Sequence, residues 1–493
     1  MRRFLALAGL LACLFPAAAQ PAGEKASALR RYMEQCAYRE PLKGALLGVS
    51  VKDAQGRTVV EYNADRRLMP ASNLKLVTTG TALHAFGPEY RFQTQLGYSG
   101  TVKDGTLEGD LYILGGGDPT IGAKDSLAYK PEALFWKWKT LLRQAGIERI
   151  HGRIIGDGHS YEGMLEYDAW DFSDVGTYYG TGCNSLSFYE NTVDYSVSAA
   201  LQGAPVQLQQ LYPDTPWMHL QNYGVTGPAG TGNSLYMYTT DLAPYEELRG
   251  SFATDRRPKT EHFSNKYGDL TCAYYFWRNL RETGWEVTGE YARIDRSGRI
   301  AGPDFVPGDR AASTLVLIDH TESPALADIA RKTNVESDNF YAESLLRAMG
   351  EAASGNACYD SCLVAIHDVL QDLGLPDDGI HQTDGSGLSR TNYLSPDWMT
   401  GYLTAMQRSP AFDAFLASLP APGQGTLSVV QIENGRRVRM KSGSFGGTLC
   451  YSGYILSPTG EPQYSFSLLT NNCTAPTADV RAVLMSILTQ FLR

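Results

Sequence analysis

The sequence predicts a folded α/β protein of about three domain-sized units, helical and strand-bearing towards its two ends and richer in short strands in its middle. Three observations carry that expectation. The chain has 493 residues, 43% hydrophobic and 19% charged, enough for about three domain-sized units at roughly 150 residues each. Its 50 glycines, 24 prolines and 29 tyrosines against 11 methionines suit strands and turns better than helical arrays, and fit neither a disordered nor a collagen-like chain. Helical periodicity is strongest towards the two ends, and the middle reads as short strands split by glycines.

In chain order, the first segment reads as an address. Arg2 and Arg3 precede the apolar run 4–15, and Pro16-Ala17-Ala18-Ala19 offers small residues for cleavage, the three-part pattern of a secretory signal peptide. Residues 1–19 are therefore expected to be removed. A lipoprotein alternative rests on Leu10-Leu11-Ala12-Cys13, but the apolar run continues past Cys13. No later stretch approaches about 20 uninterrupted apolar residues, so no membrane span is expected. The expected location is exported and periplasmic, soluble or peripherally membrane-associated.

A polar helix over 25–36 is followed by strands at 46–51 and 58–62, joined by the turn Asp53-Ala54-Gln55-Gly56. Pro70-Ala71-Ser72 then opens a helix over 73–86, in which Leu74, Val77, Leu83 and Phe86 recur at helical spacing before Gly87-Pro88. From 92 to 302 short strands dominate, with helices near 132–145 and 270–283. The stretch 166–267, rich in Tyr, Asn, Gly and Pro, reads as irregular β structure. Exposed tyrosines there suit a glycan groove, and strand propensity explains them as well.

Helices return at 323–333, 339–349, 359–373 and 396–406, then strands at 437–441, 451–456 and 464–469. A last helix over 478–492 carries the stripe Val480, Val483, Leu484, Ile487, Leu488 and Phe491. Without a basic opposite face, the stripe is expected to pack on the sheet rather than on a membrane.

The net charge of −10, with no lysine- or arginine-rich run, sets nucleic acid aside. Without Cys13 seven cysteines remain, an odd number from which no connectivity follows. Cys358 and Cys362, with His367 beyond, lack a CxxC or HExxH pattern. They read as small residues on a helix, and no metal is assigned.

Three short motifs carry chemistry. Ser72-Asn73-Leu74-Lys75 places a hydroxyl and an amine on one helix face. Serine is a poor nucleophile without a base, and an amine is a base only when neutral. The Lys75 pKa must then fall from about 10.4 towards 7. Alone, such a pair arises by chance about once in a chain of this length, and a capping serine followed by a solvated lysine explains it equally. Ser337-Asp338-Asn339 is ordinary capping, or a serine that relays a proton and an amide that holds a peptide group. Lys441-Ser442-Gly443-Ser444 is a lysine before a turn, or a cation and two hydroxyls that grip a carboxylate. In the second reading Gly443 lets a substrate backbone approach closely.

In this order the three form the set of penicillin-binding proteins and class A β-lactamases. Ser72 and Ser337 lie 265 residues apart and Ser337 and Lys441 104, too long a first gap for a compact β-lactamase. The chain resembles the low-molecular-mass class C penicillin-binding proteins, the D-alanyl-D-alanine carboxypeptidase/endopeptidase family, whose members carry domains inserted between the first two motifs. Gly109-Asp110-Leu111-Tyr112, Gly116-Gly117-Asp118-Pro119, Asn334 and the run Asn339-Phe340-Tyr341-Ala342-Glu343 agree, as does Asp384-Gly385-Ser386-Gly387-Leu388-Ser389-Arg390.

The resemblance implies an α/β (α+β) fold: a β-lactamase-like catalytic domain, an antiparallel sheet flanked by helices, from 20–92 and 306–493, with two nested, mostly β inserted domains, one from 93–165 and 269–305 and a second, 166–268, nested in it. It implies Ser72 as the acylated nucleophile and Lys75 as its base. Ser337 and Lys441 would pass the proton to the leaving D-alanine, and Asn339 would orient the peptide. Lys441, Ser442 and Ser444 would bind the terminal carboxylate, and the backbone N–H groups of Ser72 and Ser444 would form the oxyanion hole. Asp157 is similar to a family aspartate at the rim of the site. Ser442 stands where threonine is commoner and keeps the hydroxyl. The implied substrates are peptidoglycan stem peptides, with β-lactams as covalent inhibitors and no cofactor. Two rivals stay open: a β-lactamase or esterase of the same fold, and a non-catalytic cell-wall binding protein.

Overall fold

Two stretches from opposite ends of the chain build one sheet. The computed structural model describes residues 22–124, 126–161, 163–376 and 378–492; the expected leader and Cys13 lie outside them. The five-stranded antiparallel sheet runs in the order Thr58–Tyr62, Leu46–Asp53, Pro462–Asn471, Thr448–Leu456, Val438–Phe445. The N-terminal hairpin is thereby stitched onto the C-terminal strands, with Val49 opposite Leu468 and Tyr451 opposite Leu468 on its other side.

Side chains alternate across a strand, so the sheet separates two cores. On one face Val49, Val51, Phe466 and Leu468 meet Leu29 and Met33 of the first helix, Ala22–Ala37, and Val480, Leu484, Ile487 and Leu488 of the last, Thr477–Thr489. The apolar stripe of that last helix is buried, each leucine contributing about 2 kcal/mol. On the other face Cys450, Tyr454 and Leu469 join the helical core. Its centre is the helix Lys75–Phe86, buried throughout residues 75–83 and apolar or hydroxyl-bearing on every side, as a fully enclosed helix must be. The helices Leu326–Glu336, Asn339–Ser354, Tyr359–Asp372 and Pro396–Met406 surround it.

The interruption differs from the expectation in two ways. A seven-stranded sheet takes the order Pro307–Arg310, Arg299–Ala301, Tyr291–Ile294, Ile154–Asp157, Leu111–Leu114, Gln93–Tyr98, Val316–Glu322. The expected boundary at 305/306 therefore moves to about 323, because Val316–Glu322 pairs along Gln93–Tyr98. That strand escapes sequence reading because it lies at an edge, largely exposed, and carries Asp319, His320 and Glu322. This outer insertion is also α/β rather than mostly β. Ile154–Asp157 pairs in parallel with both Leu111–Leu114 and Tyr291–Ile294. Parallel pairs need long crossovers, and the helices Pro131–Gln144 and Gly268–Glu282 lie in them. The inner insertion is mostly β, with three small sheets between residues 192 and 264. The seven cysteines of the described residues are all free thiols.

Candidate active site

Pro70 precedes a 3-10 turn, Ala71–Leu74, that runs directly into the helix Lys75–Phe86. Ser72 thus occupies a first turn, where backbone N–H groups lack intrahelical acceptors. Three residues on, Lys75 Nζ lies 3.0 Å from Ser72 Oγ, 2.6 Å from Asn339 Oδ1 and 2.8 Å from the Ser386 carbonyl. The amine is fully buried. Burial lowers its pKa to about 8, against the pull of Glu343, Asp384 and Asp338.

A second amine–hydroxyl pair faces the first. Ser337 caps the helix Leu326–Glu336 in the left-handed region, φ 62°, and Asp338 then caps the next helix by accepting from the Tyr341 N–H at 3.1 Å. This tight reversal aims Ser337 Oγ at Lys441 Nζ, 2.8 Å away. Lys441 is also buried, and burial, then the positive Lys75, hold its pKa well below the ordinary lysine range.

What fixes these groups is a set of buried polar side chains. Asp384 accepts from the N–H groups of Gly387 and Ser389, from Asn392 Nδ2 and from Trp170 Nε1. Glu343 accepts from the N–H groups of Gly385 and Ser386. The loop 384–389 is thereby wrapped around two carboxylates, both raised in pKa by burial, and it presents the Ser386 carbonyl to Lys75.

Asn73 ties the serine turn to the strand Val438–Phe445, its Nδ2 donating to the carbonyls of Lys441 and Cys450 at 3.2 and 3.1 Å. Gly443 is the contact point. A Cβ there would stand 2.6 Å from the Pro70 carbonyl oxygen and 2.7 Å from the Asn73 nitrogen. The turn, not only a substrate, needs that glycine.

Ser72, Ser337, Asn339, Ser442, Gly443 and Ser444 line one cleft of about 690 Å³, and the amines of Lys75 and Lys441 reach it from behind. Asp157 does not line it. That carboxylate ends the strand Ile154–Asp157 and accepts from the His159 N–H at 3.0 Å, so the sequence alignment to a rim aspartate is not met. The rim is built instead by Asp174, Tyr178, Tyr179 and Glu190 from the inner insertion and Arg481 from the last helix, which sequence reading missed, and by Arg390, which pairs with Asp171 of the insertion at 2.7 Å. The Tyr179 carbonyl accepts from Asn339 Nδ2 at 2.9 Å, so the amide has a second N–H left for a ligand. Only the tyrosine- and glycine-rich composition of 166–267 hinted at this wall.

An antiparallel sheet backing a helix that starts on a serine, with one buried lysine for that serine and another for a second serine, defines a serine acyl-transferase of the penicillin-interacting fold. The chain belongs to the D-Ala-D-Ala carboxypeptidase 3 (S13) family, whose family model matches residues 29–491; it is a serine-type D-Ala-D-Ala carboxypeptidase. A D-alanyl-D-alanine carboxypeptidase from an Actinomadura species is 28% identical over 477 residues, 94% of this chain and 84% of that protein. The carboxypeptidase DacB of Haemophilus influenzae is 22% identical over 430 residues, 85% of this chain and 84% of that one. The crystal structure of penicillin-binding protein 4 (DacB) from Haemophilus influenzae superposes with a TM-score of 0.76 at 22% identity, covering 95% of this chain and 98% of that one.

Proposed function

We propose that the protein cleaves the terminal D-alanine from peptidoglycan stem peptides through an acyl-enzyme at Ser72. The observation that carries this reading is the pair of buried lysines, each within hydrogen-bond distance of a serine hydroxyl in one cleft. With a pKa of about 8, about a tenth of Lys75 is neutral at pH 7. The neutral amine takes the Ser72 proton as Oγ adds to the carbonyl carbon of the penultimate D-alanine. Backbone N–H groups of Ser72 and Ser444 stabilise the oxyanion. The C–N bond then breaks, and the leaving amine receives a proton from Ser337 Oγ, which is refilled from Lys441. Water then adds to the acyl carbon, giving its proton through Ser337 to Lys441, while Lys75 returns its proton to the departing Ser72 Oγ; the shortened peptide is released and every group regains its starting state. Ser442 and Ser444 hold the substrate carboxylate beside Lys441, which that negative charge returns towards its protonated form.

Beyond Ser444 the cleft continues to Thr477 and Arg481, room for a leaving group larger than D-alanine. The same steps then open a D-alanyl cross-link. The leader pattern of 1–19 supports export to the periplasm, and no helix among the described residues is long and apolar enough to cross a membrane.

Labelled penicillin followed by peptide mass mapping tests the mechanism. One lasting adduct on Ser72, absent from Ser72→Ala, is expected. Label retained by the alanine variant overturns it, and rapid release of hydrolysed penicillin favours the β-lactamase reading.

A further inference from the structure

A groove of about 830 Å³ lies away from the cleft. Its wall is the helix Pro131–Gln144, the strand Val316–Glu322 and the start of the helix Leu326–Glu336. Two aromatic rings stand open on it: Trp136 is 63% exposed and Tyr129 44%. Lys137 Nζ covers one face of Tyr129 at 3.7 Å from the ring centre, whereas among the described residues no ring or cation stacks on Trp136. Single exposed hydrophobic residues are common on this surface; Trp136 differs in lining a groove with a second exposed ring, Tyr129, where an indole face can stack on a ligand ring. The groove is also lined by the polar side chains of Thr140, Gln144, Arg91 and Glu322, with Lys137, His320 and Asp328, donors and acceptors of both signs with no dominant charge. An aromatic platform ringed by hydroxyl, amide, guanidinium and carboxylate groups fits a neutral, hydroxyl- and amide-rich ring, and suits neither an anion nor an apolar helix.

Position gives the groove its meaning. The helix Leu326–Glu336 begins at the groove, where Ala325 and Asp328 line it, and ends at Ser337 in the cleft. Its 11 residues span about 16 Å at about 1.5 Å each. In a stem pentapeptide four residues separate the sugar from the scissile bond, and extended at about 3.4 Å each they reach about 14 Å. A stem whose D-alanyl end lies in the cleft is therefore long enough for its sugar to reach the groove at the other end of this helix. We propose that this groove binds the N-acetylated amino sugars of the glycan strand that carries the stem peptide. The proposal rests on the peptidoglycan reading above and adds a second point of attachment to it.

The test compares the full-length enzyme with Trp136→Ala on a disaccharide-pentapeptide and on the same pentapeptide without sugar, and titrates both proteins with tri-N-acetylchitotriose. The wild type is expected to favour the sugar-bearing substrate about tenfold in kcat/KM, through KM, the size of effect one aromatic anchor supplies. Chitotriose should change its indole fluorescence. Trp136→Ala should lose both the preference and the fluorescence change, yet cleave the sugar-free peptide and take up penicillin like the wild type. Equal kcat/KM on the two substrates, or a preference that survives Trp136→Ala, overturns the proposal. The chitotriose titration needs no turnover, so a protein that cleaves neither peptide and takes up no penicillin refutes the reading of the cleft, while the titration still decides the groove.

Discussion

The two walls of the cleft are made in different ways. The wall that holds Ser72, Ser337 and Lys441 comes from the catalytic frame, and buried side chains pin each of its reactive groups: Asn73 holds the strand, Glu343 and Asp384 hold the loop behind Lys75. The opposite wall comes from the inner insertion and touches the machinery at a few points. It supplies the Tyr179 carbonyl to Asn339, the Glu190 carboxylate to Lys332, the Trp170 indole N–H to Asp384 and the Asp171 carboxylate to Arg390. Groups pinned by buried hydrogen bonds are intolerant of change; the insertion wall shapes what enters.

The strongest way to break this comparison is at the contact between serine turn and strand. Gly443→Ala puts a methyl group against the Pro70 carbonyl and the Asn73 nitrogen, so turn and strand must part. A displacement near 1 Å lowers the rate about 100-fold. Penicillin acylation should fall by that factor while far-UV circular dichroism stays unchanged. A variant that acylates normally would show that the strand's position is not critical.

Sequence reading reached the first wall and not the second for a physical reason. The Ser72–Lys75 and Ser337–Asn339 motifs are local, set by helix geometry, and their flanking helices and strands follow the periodicities read from the chain. The stripe Val480 to Phe491 and the 46–62 hairpin are as expected. What reached across sequence was not visible: that Ser386 offers its carbonyl to Lys75, or that Gly443 serves the serine turn. Tyr179 acts through its backbone, which leaves no residue signature. Val316–Glu322 is an edge strand with charges along it, and the short helix Phe412–Ser418 has too few turns for a periodic pattern.

The next effect is smaller and sharpens the first wall. Burial lowers the Lys75 pKa to about 8, so the neutral, proton-accepting form grows as pH rises and is complete above that value. The rate of acylation should increase about fivefold between pH 7 and 8 and level off beyond. Stopped-flow measurement with a chromogenic cephalosporin checks it. A rate independent of pH across that interval would remove Lys75 as the base.

The smallest effect belongs to the insertion wall. Glu190 sits in a run of three left-handed residues, Tyr189, Glu190 and Asn191, at φ 55°, 57° and 50°, and lies 3.1 Å from Lys332 on the helix that ends at Ser337. Burial first, then the neighbouring Asp338, raise its pKa to about 7, with Lys332 and Lys124 opposing. The carboxylate is therefore charged above about pH 7 and neutral below it. Glu190→Gln imitates the neutral form, and Lys332 keeps Glu336 at 3.5 Å. Acylation of the variant should match the wild type at pH 6 and fall about two- to threefold below it at pH 8, where only the wild type has the full ion pair, worth well under about 1 kcal/mol in rate. If the loss at pH 8 instead approached 100-fold, Glu190 would be as tightly bound to the chemistry as Gly443, and the insertion would have to be counted part of the catalytic frame rather than the wall that faces it.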